Sequence, residues 1–492
     1  MKKLGLFNIV FFIILLIVVA LGIFIRIHAF LHTHNIFYDE AALLLNIKER
    51  TYSQLFLPLD YEQCCPPLFM ILGKFIYTHF GLNLYAIKSI PFVFSLLSLI
   101  LFTFLSLKMF RSRVAIIISN FMFAFSYWLL TYTMFFKHYI SDAFVSILIL
   151  FVAYHYKDRI LSKVDVSILA ILAILCLLMS YTSVIILSST FIVFVLYKYN
   201  KSERKEWLKK SLLFVLIYGI FSVVYYFVNM KSPANADVFQ IGWGEFYPRT
   251  FENIVFTLNL LMGYILKPIA ALVIMTIAGI FLVFKDRFSF GVLFLPFIVA
   301  FILAYFKKYP ILPERVILYL IPIFLLLVNK SIDSILKIEN KLIRNVFYYI
   351  TILVFLCSLN ILEIQQLVQN IKTKQYTNIT DKVYWKKEKT SNAERALEWF
   401  KQYGITKDDY IIAKMADKLV FDLYDKDNLI NTSNISYNNE FNIPIGSTIY
   451  AYVSEEYDEY EFFEADLKNC EILEKVEDGA YYFIKAKKIK DD

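Results

Sequence analysis

The chain has 492 residues, 59% of them hydrophobic and 18% aromatic, with a formal net charge of +8 and a mean hydropathy of +0.58. A soluble domain carries about 25% charged residues and about 45–50% apolar ones; at 19% charged this chain is not a simple soluble domain. Its Lys and Arg stand in short clusters between apolar runs, which marks membrane topology rather than nucleic-acid binding.

A span needs about 20 apolar residues. The run at 4–25 follows Lys2 and Lys3. It is too long for a signal-peptide core and no small-residue cleavage site follows, so it reads as a retained first span. Spans are expected at 4–26, 89–107, 114–133, 139–155, 166–182, 184–199, 211–229, 268–284, 288–306, 316–329 and 344–361, about eleven in all. Residues 66–81, with Lys74 and His79, and residues 251–266, with Glu252, Asn253 and Asn259, read as helices lying in the membrane interface.

Basic residues fix the orientation. Lys2 and Lys3, Lys108 to Arg113, Lys157 to Lys163, Lys198 to Lys210, Lys285 and Arg287, and Lys330 to Arg344 occupy every second loop, so these loops are cytoplasmic. The other face then holds the loops 32–88, 230–266 and 306–315, and the tail. The expected fold is a membrane all-α bundle over residues 1–365, with interfacial helices in the first outer loop, and a small extracytoplasmic soluble α/β domain over 366–492. In the tail, residues 392–404 read as a helix stopped by Gly404. Residues 410–413 and 447–453 read as strands, and 470–476 with 480–485 as a hairpin. The cysteines imply no disulfide framework. Cys64 and Cys65 are adjacent, which is not a zinc spacing, and Cys176 and Cys357 lie in apolar runs.

Three groups on the outer side can carry chemistry. Tyr38-Asp39-Glu40 opens a short helix at the membrane surface. Two carboxylates there satisfy a helix N-terminus and equally supply a general base. Lys137-His138-Tyr139-Ile140-Ser141-Asp142 stands where one span exits and the next begins. Lys137 fits snorkelling, whereas Asp142 opens an apolar span, and ionisable groups there face a partner or a wet cavity. Arg315 enters the apolar run after Lys307 and Lys308, where a guanidinium suits a phosphate. A carboxylate pair, an amphipathic loop and cations at the bilayer boundary together fit a lipid phosphate. A sugar on such a phosphate leaves as an anion that Lys137 and Arg315 stabilise, while Asp39 takes the proton of the acceptor hydroxyl.

These pieces resemble the GT-C glycosyltransferases, in the branch of protein O-mannosyltransferases and bacterial aminoarabinose transferases. The resemblance is carried by Tyr38-Asp39-Glu40-Ala41, by Pro66-Pro67-Leu68-Phe69 with Phe80-Gly81, by Lys137 to Asp142, and by Tyr309-Pro310 followed by Arg315 to Pro322. It implies a polyprenyl-phosphate-linked sugar donor, a lipid, glycan or protein acceptor, and inversion at the anomeric carbon. Asp39 then matches the catalytic acidic residue, with Glu40 beside it. Lys137 and Arg315 match positions near the donor phosphate, and Tyr38, His138, Tyr139 and Asp142 are candidate substrate contacts. Cys65 stands where relatives often carry Lys. No cofactor is fixed, and a divalent metal near His32, His34 and Asp39 remains an alternative. Asp425-Lys426-Asp427 reads as a solvated turn. The rival readings are a transporter or flippase of lipid-linked saccharide, which needs ionisable groups deeper in the spans, and a non-catalytic membrane assembly partner.

Overall fold

The structure is a computed structural model. It describes residues 6–32, 36, 38–199, 204–231, 286–311, 314–335, 339–342, 344–346, 361–373, 393–413, 415–425, 435–436, 443–454, 469–478 and 481–490, with a few isolated positions besides. The expected span at 268–284, most of that at 344–361 and most of the interfacial helix at 251–266 lie outside the described residues.

In chain order the helices are α1 (Leu6–Leu31), α2 (Tyr38–Glu49), α3 (Pro67–Phe80), α4 (Leu84–Met109), α5 (Arg113–Ala124), α6 (Tyr127–Thr131), α7 (Tyr139–Tyr156), α8 (Lys163–Met179), α9 (Ser183–Tyr199), α10 (Arg204–Phe214) and α11 (Ile220–Tyr225). They are followed by α12 (Arg287–Tyr305), α13 (Leu320–Ile335), α14 (Ile361–Thr373), α15 (Ala393–Gln402) and α16 (Met415–Tyr424). The strands are β1 (Tyr410–Ile412), β2 (Ile435–Ser436), β3 (Thr448–Ser454), β4 (Cys470–Asp478) and β5 (Tyr481–Lys488). Contacts divide the chain into two compact units, residues 1–33 with 51–384 and residues 34–50 with 385–492.

The first unit is helical and belongs in a membrane. Among the described residues α1, α4, α7, the run Leu208–Met230 and α12 are each long and apolar enough to cross one. Their lipid-facing sides carry exposed Phe, Ile, Leu and Val, as on Phe7, Leu16, Phe104 and Ile220. The bundle packs α4 on α7, α9 on α12, α1 on α4 and α5, and α13 on α5. The expected span at 114–133 is not continuous. Helix α5 ends at Ala124, Ser126 is extended (φ −62°, ψ 118°), α6 adds little more than one turn, and the chain then runs through turns to His138. Backbone of this kind is tolerated at membrane depth only where protein surrounds it, and every residue from 127 to 137 is buried.

A second departure from the sequence reading is Arg26, expected at the end of the first span. Helix α1 runs on to Leu31 and leaves Arg26 fully buried. Its guanidinium donates to Ser95 Oγ (2.9 Å) and to the carbonyls of Gly22 (3.0 Å), Ala124 (3.0 Å) and Phe123 (3.4 Å). Phe123 and Ala124 close α5, and the last carbonyls of a helix have no partner of their own and bear its negative dipole end. Arg26 therefore ties α1 to α4 and caps α5, so a buried charge serves packing rather than transport. At the other end of α5, Asp333 of α13 accepts from the amides of Arg111 (2.6 Å) and Ser112 (2.8 Å).

The second unit joins α2 to a five-stranded sheet in the order β2-β1-β3-β5-β4. β1 runs parallel to β2 and β3, and β3, β5 and β4 are antiparallel. Alternation along the strands sends Ile412, Ile449, Ala451, Ile484 and Ala486 into one buried cluster. Tyr450, Tyr452 and Phe483 lie on the opposite face with Trp399, Phe400 and Phe421 of α15 and α16. Gly404, at φ +79°, ends the turn after α15, as its place after an amphipathic run predicts. The expected strands and hairpin all form, and α2 packs on α16.

Gly22 sets how closely α1 meets its neighbours: a Cβ there would lie 2.9 Å from Ala124 Cβ and 3.0 Å from Leu99 Cδ2. Gly22→Ala is expected to destabilise the detergent-solubilised protein by about 1–3 kcal/mol. Gly219→Ala, whose Cβ meets Val215 Cγ1 at 3.7 Å and nothing nearer among the described residues, is expected to be neutral or stabilising. Thermal unfolding of the two variants beside wild type checks both directions.

Candidate functional site

The break after α5 delivers Lys137. Its amide donates to Phe135 O (2.7 Å) in a tight turn. Its ammonium, on a side chain only 5% exposed, donates to Gln63 Oε1 at 2.5 Å. Gln63 comes from the loop between α2 and α3, where Tyr61 (φ 59°) and Glu62 (φ 54°) hold left-handed backbone. Neither is glycine, and such residues cost about 1–3 kcal/mol each and concentrate at functional sites. Gln63 Nε2 donates back to Tyr61 O (3.1 Å), so the strained turn orients the amide that meets Lys137.

His138 and Asp142 follow at the start of α7. Asp142 is buried in the first turn, at the positive end of the helix dipole. His138 Nε2 stands 3.7 Å from Asp142 Oδ2, beyond hydrogen-bond length. Burial, with the charge of Lys137, lowers the His138 pKa to about 3. The imidazole is therefore neutral at neutral pH, and the contact is not an ion pair. Tyr139 packs edge-on against Tyr132, and the His138 ring faces those of Tyr139 and Tyr181.

Two further loops close the neighbourhood. Tyr181, between α8 and α9, shares its hydroxyl hydrogen between Cys65 O (2.9 Å) and Asn229 Oδ1 (2.6 Å). Asn229 Nδ2 in turn donates to Phe56 O (2.9 Å). Tyr309, between α12 and α13, donates to Val316 O (2.7 Å) and stands within electrostatic range of Tyr319, Asp142, Tyr139 and Cys64. Arg315 lies half-buried on that same loop, in the single turn Glu314–Ile317. Burial pushes the Cys64 thiol up to about 12 against the opposing pull of Lys137. Burial also raises the phenols of Tyr181 and Tyr309 well above their ordinary range. These groups are protonated at neutral pH, so Cys64 is no thiolate nucleophile. What the site offers is a buried ammonium among neutral donors and aromatic rings, an environment that stabilises an anion.

The structure thus gathers Lys137, His138, Tyr139 and Asp142, with Arg315 on the neighbouring Tyr309 loop. Sequence reasoning did not single out Gln63 or Tyr181. The polar residue just before Cys64-Cys65-Pro66-Pro67, and the polar run Ser180-Tyr181-Thr182-Ser183 between two apolar runs, are the signals that point to them. Tyr38, Asp39 and Glu40 form the first turn of α2 in the second unit. There Glu40 is buried and Asp39 half-exposed. Residues 41 to 47 of α2 are buried, and Lys48 Nζ donates to Asp422 O (3.3 Å) on α16. Among the described residues no three His, Cys, Asp or Glu side chains gather to hold a metal ion. His34 lies outside the described residues, and His32 Nδ1 is 2.7 Å from His28 O.

No protein-family model matches the chain, and no curated protein matches its sequence. Its fold, with five helices among the described residues long and apolar enough to cross a membrane, has solved counterparts. One is the crystal structure of ArnT from Cupriavidus metallidurans bound to undecaprenyl phosphate, with a TM-score of 0.55 and 12% identity over 96% of this chain and 97% of that one. Another is the apo state of the same protein, with a TM-score of 0.52 and 12% identity over 93% of this chain and 96% of that one.

A neutral buried His138 has a consequence for stability. Its folded pKa of about 3 lies below the ordinary imidazole value of 6.5, so between those values the unfolded state binds the extra proton and stability falls as pH falls. At pH 5 the loss relative to neutral pH is about 2 kcal/mol. His138→Gln is expected to remove that part of the acid sensitivity, read as the difference between thermal midpoints at pH 5 and pH 7.5 in wild type and variant.

Proposed function

We propose that the chain is a membrane glycosyltransferase that takes a sugar from a polyprenyl-phosphate-linked donor at the extracytoplasmic face and transfers it to a lipid, glycan or protein acceptor. The observation that carries this reading is the buried Lys137 ammonium, set beyond a broken helix and met by Gln63 from a strained turn, in a chain whose fold matches ArnT over nearly its whole length. That relative was crystallised with undecaprenyl phosphate, and a buried ammonium beside neutral groups suits a phosphate of this kind.

In the reaction, an acceptor hydroxyl oxygen attacks the anomeric carbon from the face opposite the phosphate. The new carbon–oxygen bond forms as the bond to the phosphate oxygen breaks, which inverts the centre. The phosphate oxygen leaves as an anion and needs no proton; Lys137, with Arg315, stabilises that charge. The hydroxyl proton passes to the Asp39 carboxylate. Asp39, opening α2 on a helix whose following residues are buried, has the fixed backbone a positioned base requires. Tyr38, His138, Tyr139 and Asp142 are assigned to substrate contact, with His138 acting as a neutral hydrogen-bonding group.

The test is sugar release or transfer from a panel of polyprenyl-phosphate sugars by the detergent-solubilised full chain. Lys137→Ala is expected to lower turnover on the order of 10²–10³-fold. Asp39→Asn is expected to lower it about 10²–10⁴-fold while donor binding is kept. Full activity in Asp39→Asn removes Asp39 as the base. If the wild type turns over no donor in the panel, the glycosyltransferase reading falls in favour of a transporter or an assembly partner.

A further inference from the structure

Away from Lys137, the first unit holds a cavity of about 950 Å³. Four of the loops whose basic residues mark the cytoplasmic face meet there, contributing Lys108 and Arg111, Lys157, Arg287, and Lys330. Asp158, Asp286 and Asp333 also line it, so five cationic side chains face three carboxylates.

The carboxylates are occupied within the protein. Asp333 accepts from the amides of Arg111 and Ser112 and lies 3.2 Å from Lys330 Nζ. Asp286 caps α12 through Ser289 N (3.1 Å) and Oγ (2.7 Å), and stands 3.7 Å from Lys157 and 3.8 Å from Lys330. Asp158 accepts from Tyr197 (2.9 Å). Among the described residues the guanidinium groups of Arg111 and Arg287 have no acidic partner, and both are exposed at the cavity. The wall continues through Val193 and Leu196, the latter 62% exposed. The cavity thus combines surplus positive charge, two guanidinium forks and an apolar margin on a helix of the bundle surface.

We propose that this cavity binds a phosphate-ester anion, held by Arg111 and Arg287 in front of Lys157 and Lys330, and that its source is the headgroup of an anionic lipid of the cytoplasmic leaflet. The guanidinium fork matches two phosphate oxygens at once. The buried Lys330, fixed by Met109 O at 2.6 Å, adds a charge that cannot swing away. The apolar margin at Val193 and Leu196 receives the start of the acyl chains. This site is independent of the transferase reading and shares no residue with it.

The test is native mass spectrometry of the full chain, titrated in detergent with phosphatidylglycerol or phosphatidylcholine. Wild type is expected to retain one phosphatidylglycerol in preference to phosphatidylcholine. The double variant Arg111→Gln/Arg287→Gln is expected to weaken that binding about tenfold or more with an unchanged thermal midpoint, since neither guanidinium has an acidic partner among the described residues. Arg111→Lys/Arg287→Lys keeps the charge and is expected to bind at an intermediate level. Lys137→Ala is expected to retain the lipid as wild type does. A parallel arm uses inorganic phosphate: displacement of the lipid by phosphate supports the shared chemistry, and phosphate binding with no preference between the lipids assigns the site to the free ion and overturns the lipid source. Equal phosphatidylglycerol retention in wild type and the Gln variant, or its loss in Lys137→Ala, overturns the site.

Discussion

Charged and polar groups inside a membrane bundle must find partners within the chain, because lipid offers none. That constraint organises the first unit. Arg26 meets it by taking carbonyls at the end of α5 and the hydroxyl of Ser95. Asp333 meets it at the start of α5 by accepting two amides and facing Lys330. One short helix is thus clamped at both ends by side chains from α1 and α13. Its position fixes where the chain can leave helical geometry.

The consequence is felt at Lys137. With α5 anchored, the chain beyond Ala124 makes one more turn and then unwinds inside the protein. A lysine on an unbroken span would reach for the interface. Here it is held inside by Gln63, on a loop that accepts left-handed backbone at Tyr61 and Glu62. Neighbouring groups are kept neutral by burial: His138 by a lowered pKa, Cys64 and Tyr181 by raised ones. An ammonium in such surroundings interacts strongly with any anion that reaches it, because little water screens the pair.

The same physics gives a different outcome at the basic end of the bundle. There Asp286 and Asp333 are consumed by capping and by Lys157 and Lys330. Arg111 and Arg287 remain directed at a cavity. Two electropositive places therefore exist in one unit, one buried among aromatic rings and one open at the loops. They suit different ligands and have no residue in common.

The membrane class, the positions of the five spanning helices among the described residues and the tail's strands were legible in the sequence, because they rest on local patterns: runs of about 20 apolar residues and alternation flanked by turn residues. The residues from Lys137 to Asp142 stand out in the sequence because charge beside an apolar run is conspicuous. The break after Ala124 was not, since no Gly or Pro marks it and tertiary packing, not local propensity, satisfies the unwound backbone. Nor was the burial of Arg26, whose partners lie at Ser95, Phe123 and Ala124, far along the chain. The same holds for Gln63 as the partner of Lys137 and for the four loops meeting at one cavity. Each depends on contacts between residues distant in sequence, and only the fold decides which of them meet.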